Sequence, residues 1–326
     1  MRSFLRFTGA ACLFAGSFFA TLQAAAQDFP SRPVRIVVPF AAGGGVDILT
    51  RVLAEHLAER LGQQVIVEDK PGAGGNLGVV TVAQAPADGY TLVMATTGTH
   101  TINPGLYRKL PFDPERDFRP ITQIASVPNL LVVNPSLGVN SVAELIALAR
   151  SKPGALSFAS FGNGSSNHLS GEMLKSLTGI QATHVPYKSA PQAVGELIAG
   201  RTAFAFVNTP LALPQVRAGK LKALAVTGAT RSAAVPEYPT MQEAGVPGFV
   251  VESWYGLMAP AGTPDAVIAR LHKDTLAVLA MPEVRDFFAK QGADVVTTTP
   301  EQFTAIIKSE RARWAEVIRK SGAHIE

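Results

Sequence analysis

The sequence predicts an α/β protein of two lobes, and three observations carry that prediction. Short β-branched runs alternate with helical patterns. Each run ends in a turn of glycine or small polar residues, and the alternation restarts midway along the chain. The 326 residues suffice for two sizeable cores, and 47% apolar against 17% charged residues argues against disorder.

Taken from the start, Arg2 and Arg6 precede an apolar segment from Leu13 to Leu22, and Ala24–Ala25–Ala26 offers a cleavage site before Gln27. Residues 1–26 therefore read as a signal peptide, the apolar run being short for a membrane span of about 20 residues. Its removal takes Arg2 and Arg6 and leaves 27 Lys+Arg against 25 Asp+Glu, a net charge of +2. That is too small to imply nucleic acid or an anionic membrane as partner. The single cysteine, Cys12, leaves with the signal, so the exported chain rests on its core and has no thiolate chemistry.

Val34–Val38 reads as a buried strand, Gly43–Gly44–Gly45 as a tight turn, and Ile48, Leu49, Val52, Leu53, Leu57 and Leu61 as one face of a helix stopped by Gly62. Such a unit points unpaired amides and the positive end of a helix dipole beyond the glycines, a candidate anion site. Gln64–Glu68, the turn Pro71–Asn76 and a helix from about Leu77 to Ala83 repeat the pattern. Tyr90–Ala95 and the turn Thr96–His100 repeat it again. This alternation predicts a parallel sheet with ligands beyond the carboxyl ends of its strands.

Ile121–Val133 is extended. The capping box Ser141–Glu144 opens a helix to Arg150, Leu156–Ala159 is a strand, and Ser160–His168 is a further polar turn. A helix around Val194–Ala199, strand Ala203–Val207 and turn Asn208–Pro210 complete a second lobe. Phe249–Met258 carries the chain back, and Pro264, Pro282 and Pro300 open three C-terminal helices. The expected organisation is lobe 1 from 27–126 and 254–326 and lobe 2 from 127–253. Crossovers lie near Ser126–Val132 and Val250–Leu257, with a cleft between the lobes.

Catalytic motifs are not supported. Neither glycine turn completes GxGxxG or continues into Gly-Lys-Ser/Thr, and there is no GxSxG or HExxH. His168 and Glu172 lie one helical turn apart without a third ligand nearby. No catalytic residue, metal or cofactor is therefore expected. His100 and His168, on polar turns at strand ends, are candidates for ligand contact. Asp47 either serves the helix dipole or accepts from a ligand. Lys188 is a candidate partner for a carboxylate, and Trp254 and Tyr255 either line the cleft or pack the hinge.

Several stretches together carry a resemblance: Val37–Phe40 with Gly43–Asp47, Lys70–Asn76, Asp88–Leu92, Ile102–Pro104, Gly162–Ser165, His184–Lys188, Ala218–Leu221 and Ala259–Pro264. Over the whole mature chain it resembles the Bug family, periplasmic solute receptors of tripartite tricarboxylate transporters. The resemblance implies a two-lobed periplasmic binding protein fold, type II-like, that closes on a small carboxylate. It also implies a periplasmic monomer that hands its ligand to integral-membrane permease subunits; the alternative is a sensor docking on a signalling partner. In lobe 1 the implied ligand positions are Phe40, Gly43, Gly44, Gly45, Asp47, Gly74, Gly75, Asn76, Thr97 and His100. In lobe 2 they are Ser160, Asn163, Ser165, His168, Lys188 and Asn208. The chain departs from the family pattern at Ala41–Ala42, Val46, Phe161, Ser189–Pro191 and Val207, so no one member's ligand transfers to it.

Overall fold

A computed structural model of the chain describes residues 29–163, 165–233 and 235–321; the expected signal peptide and Cys12 lie outside the described residues. The first lobe opens with β1 (Val34–Val38), α1 (Gly45–Leu61), β2 (Val65–Asp69), α2 (Asn76–Ala83) and β3 (Thr91–Thr96). A π-helical turn (Gly98–Ile102) and α3 (Asn103–Leu106) lead on to β4 (Phe118–Ser126). The second lobe runs β5 (Asn129–Val133), α4 (Val142–Ser151), β6 (Leu156–Ser160), α5 (Ser166–Thr178), β7 (Ala182–Pro186), α6 (Ala190–Ile198), β8 (Phe204–Asn208), α7 (Thr209–Arg217) and β9 (Lys222–Val226). The chain then returns through β10 (Trp254–Pro260), α8 (Asp265–Leu279), α9 (Pro282–Lys290), β11 (Asp294–Val295) and α10 (Pro300–Ser321).

Two sheets result, in the orders β11-β4-β10-β3-β1-β2 and β7-β6-β8-β5-β9. They are mixed rather than wholly parallel as the alternation predicted. β1 pairs in parallel with β2 and β3, and β6 with β7 and β8. β10 runs antiparallel between β3 and β4, and β5 antiparallel between β8 and β9. The reason is topological: a strand that has just crossed from the other lobe enters its sheet from the opposite end, so no α-helical crossover reverses it.

Apolar periodicity explains the packing. Leu49, Leu53, Leu57 and Leu61 of α1 are buried against β1 and α8 within one cluster that also holds Ile36, Leu92 and Leu271. In the second lobe Phe158, Phe204 and Phe206 fill the space between the sheet and α5. α10 serves both lobes. Its first turns bring Phe303 and Ile307 onto the β3–β10 face of the first sheet, beside Val93 and Trp254. Farther along, Trp314 and Ile318 join the cluster that contains Phe158, Leu169 and Phe206. Gly256 of β10 leaves the space that the Phe303 ring occupies.

The two crossovers lie side by side. Val127 donates its N–H to Ser253 at 2.7 Å, and Asn129 N donates to Thr227 Oγ1 at 3.0 Å. On the same seam Trp254 N donates to Thr97 Oγ1 at 2.9 Å, tying the return crossover to the end of β3.

Candidate functional site

A cavity of about 480 Å³ lies between the two sheets, beyond the carboxyl ends of β1, β3, β6 and β8. Five helices begin at its wall, and they differ in how their first amides are used. Ser165 accepts from His168 N at the start of α5, and Ser189 accepts from Gln192 N at the start of α6. α1, α2 and α7 begin at Gly44, Gly75 and Asn208 with no side-chain cap. The uncapped amides of α1 therefore face the cavity with the positive end of the helix dipole behind them.

Nine of the expected positions line this space: Phe40, Gly44, Gly45, Gly74, Gly75, Thr97, Ser165, Lys188 and Asn208. Lys188 is exposed and is the only charged side chain among the described lining residues. The lobes meet across the glycine turns. A Cβ on Gly45 would lie 3.5 Å from Asn208 Cβ, one on Gly44 3.8 Å from Ala190 Cβ, and one on Gly43 3.6 Å from Pro191 Cγ. The molecule is thus in a closed arrangement.

The remaining expected positions stand outside the lining, and each has a physical reason. Asp47 is buried and braces the first turn, accepting from Gly43 N at 2.8 Å through Oδ2 and pairing through Oδ1 with Arg51 Nε at 2.6 Å. Gly43 is the other half of that brace. Asn76 accepts from Asn103 Nδ2 at 2.6 Å, and the same Asn103 amide donates to Gly74 O at 3.1 Å, so the pair fixes the second glycine turn from behind. His100 is fully buried between Phe112 and Phe118, with centroids 6.2 and 5.0 Å away. It belongs to the π-helical turn Gly98–Ile102, all five residues of which are buried. Burial holds the His100 imidazole down to about 3, so it is neutral.

Ser160 and His168 belong to a buried layer behind the lobe 2 turn. The Ser160 hydroxyl lies 2.6 Å from His184 Nε2, and the His184 ring stacks on His168 at 4.1 Å and on Phe158 at 4.9 Å. Desolvation, then the neighbouring His168 and Lys175, depress His184 to about 3; desolvation likewise lowers His168. Glu172 pairs with Lys175 at 2.9 Å rather than with His168 as a metal ligand. No group of three or more His, Cys, Asp or Glu side chains is arranged to hold a metal among the described residues. Asn163 is exposed and approaches the cavity through its carbonyl, which faces Gly74.

Sequence reasoning missed Ala41, Ala190 and Ser253 as parts of the wall. Phe161 and Tyr187, which fall within the turn Ser160–His168 and the stretch His184–Lys188, line it too, as do Trp254 and Tyr255, which also pack the hinge. Ser165 caps its helix and donates to Gly162 O at 2.8 Å, so it shapes its turn as well as facing the cavity. Tyr255 is 3% exposed, and its hydroxyl has no protein partner among the described residues. Burial raises its pKa, which keeps it a neutral donor. That hydroxyl sits 3.2 Å from where a Gly45 Cβ would stand, beside the open end of α1.

Two mixed α/β lobes, joined by adjacent crossovers and enclosing a cavity built from helix starts, define a two-lobed solute-binding protein. The chain belongs to the tripartite tricarboxylate transporter receptor family, whose pattern matches residues 49–323. It is 38% identical to Protein BugT of Bordetella pertussis, across 95% of this chain and 97% of that one. Among solved structures, Rpa4515 of R. palustris with adipate superposes with a TM-score of 0.89 at 39% identity, covering 91% of this chain and all of that chain. MatC from Rhodopseudomonas palustris with bound malate gives 0.85 at 34% identity, covering 89% of this chain and all of that chain.

Proposed function

We propose that this chain is exported to the periplasm, captures a small carboxylate between its lobes and presents it to the membrane subunits of a tripartite-type permease. The observation that carries the reading is the uncapped start of α1, aimed into a closed inter-lobe cavity without an acidic side chain among its described lining residues. Peptide amides and a hydroxyl hold an anion there without a buried ion pair. The relatives solved with adipate and malate support the class of ligand. Lobe 1 (27–126 and 254–326) and lobe 2 (127–253) rotate about the paired crossovers, and closing removes water from the ligand. The chain acts as a monomer and binds without turnover, since the Ser160–His184 pair lies behind the wall and offers no exposed nucleophile.

The test is calorimetry on the mature chain, freed of copurified metabolites by unfolding and refolding, against a panel of mono-, di- and tricarboxylates. Saturable binding to at least one member is expected. A panel that produces neither heat nor thermal stabilisation would sink the reading.

A further inference from the structure

A closed ring of contacts stands behind the lobe 2 turn. Ser160, at the end of β6, is fully buried, and its hydroxyl lies 2.6 Å from His184 Nε2 of β7. Gly162 N donates to that hydroxyl at 3.3 Å. Gly162 O accepts from Ser165 Oγ at 2.8 Å, and Ser165 Oγ accepts from His168 N at 3.3 Å. The His168 ring then stacks back on His184, with centroids 4.1 Å apart. Two members of the ring, Gly162 and Ser165, line the cavity, and Asn163 between them meets Gly74 of the first lobe.

The proton positions in this ring follow from the distances. The Ser160 hydroxyl carries one hydrogen and has two acceptors in reach, His184 Nε2 at 2.6 Å and Gly162 O at 3.3 Å. A separation of 2.6 Å falls within the O–H donor range and below that of an N–H donor, which puts the hydroxyl hydrogen on the His184 side. Gly162 O is already served by Ser165, and the Ser160 lone pairs remain for Gly162 N. A neutral imidazole that accepts at Nε2 carries its hydrogen on Nδ1. Gly162 has φ of +108°, so the bond to its N–H fixes a segment that would otherwise keep a glycine's full freedom. We propose that His184 is a positioning residue for solute capture: with its proton on Nδ1, it orients the Ser160 hydroxyl, which holds the Gly162–Ser165 turn in the shape that closes on the first lobe. His184 stands outside the described cavity lining, and its role rests on the carboxylate-receptor reading.

Nitrogen NMR on the full mature chain with isotope-labelled histidine reads the tautomer. A pyridine-type Nε2 and a pyrrole-type Nδ1 are expected for His184, assigned by the signals lost in His184→Gln. A protonated Nε2 overturns the proposal and leaves the receptor reading standing. Calorimetry with benzoate, adipate, malate and citrate reads capture. His184→Phe keeps a ring to stack and removes the acceptor, and it should weaken the best-bound probe by about five-fold or more. His184→Gln, whose Oε1 accepts from a hydroxyl, should recover most of that loss. Ser160→Ala should weaken the same probe to a similar degree, and the Ser160→Ala/His184→Phe double variant should be no worse than the weaker-binding single one. Parental affinity in His184→Phe or Ser160→Ala, or losses that add in the double variant, overturn the proposal. If His184→Phe fails to fold, Ser160→Ala and the tautomer decide. A parent silent toward all four probes fails the receptor reading as well, whatever the tautomer.

Discussion

The carbonyl oxygen of Asn163 in the second lobe stands 2.6 Å from the point where a Cβ on Gly74 of the first lobe would be. Gly74 also has φ of +65°, a conformation that L side chains adopt at a cost of about 1 kcal/mol or more. The glycine thus allows two backbones to meet at the mouth of the cavity. Gly74→Ala is expected to weaken ligand binding by ten-fold or more through incomplete closure. Small-angle scattering with saturating ligand should show a larger radius of gyration than the parent. Full closure with unchanged affinity would show that the turn yields without effect.

Asp47 and Ser165 illustrate support from behind the wall. Asp47→Ala releases Gly43 N and Arg51, so the first glycine turn loses its brace. An affinity loss of about 1.5–3 kcal/mol is expected, the range for one hydrogen bond to a charged group. Ser165→Ala removes a helix cap and is expected to cost about 1 kcal/mol of stability in addition to affinity. Thermal melts with and without ligand separate the two. An Asp47→Ala protein that binds normally would assign the residue to the helix dipole alone.

Tyr255→Phe tests the hydroxyl beside α1. The group has no protein partner among the described residues, so its loss should leave the unliganded melting temperature unchanged or raised. Affinity should fall by about 1–2 kcal/mol if the hydroxyl donates to the ligand. A lower melting temperature with unaltered affinity would place its role in the hinge packing.

Acid sensitivity follows from His100. Its imidazole titrates near 3 in the fold against 6.5 for the ordinary group. Between those values the unfolded chain takes up a proton that the folded chain refuses. This contribution is therefore complete above pH 6.5 and lost on acidification, at about 1.4 kcal/mol per pH unit. His184, held near 3 as well, acts in the same direction. Denaturant unfolding from pH 6.5 to pH 4 should show a slope that His100→Gln makes shallower by nearly one proton. An unaltered slope would mean that His100 protonates within the fold.

The glycine units were legible because each compresses its cause into one stretch: the strand, turn and amphipathic stripe of Val34–Leu61 are all local. α7 was not legible, since Asn208–Pro210 reads as a turn, although Pro210 sits in the first turn of the helix, where a missing N–H is harmless. β9 carries only a short apolar run, Ala223–Val226, too brief to separate strand from loop before its pairing with β5 is seen. Within the site, His100 looked like a ligand contact because its own turn is small and polar. What removes it from the cavity is Phe112 and Phe118, which fold over it from a segment farther along the chain. Tyr255 reached the wall by the reverse route: strand pairing of β10 between β3 and β4 brings a residue from the return crossover to the start of α1.

α10 grips the first sheet through Phe303 and the second core through Trp314. Any change in the angle between the halves must therefore re-seat one end of this helix in its core.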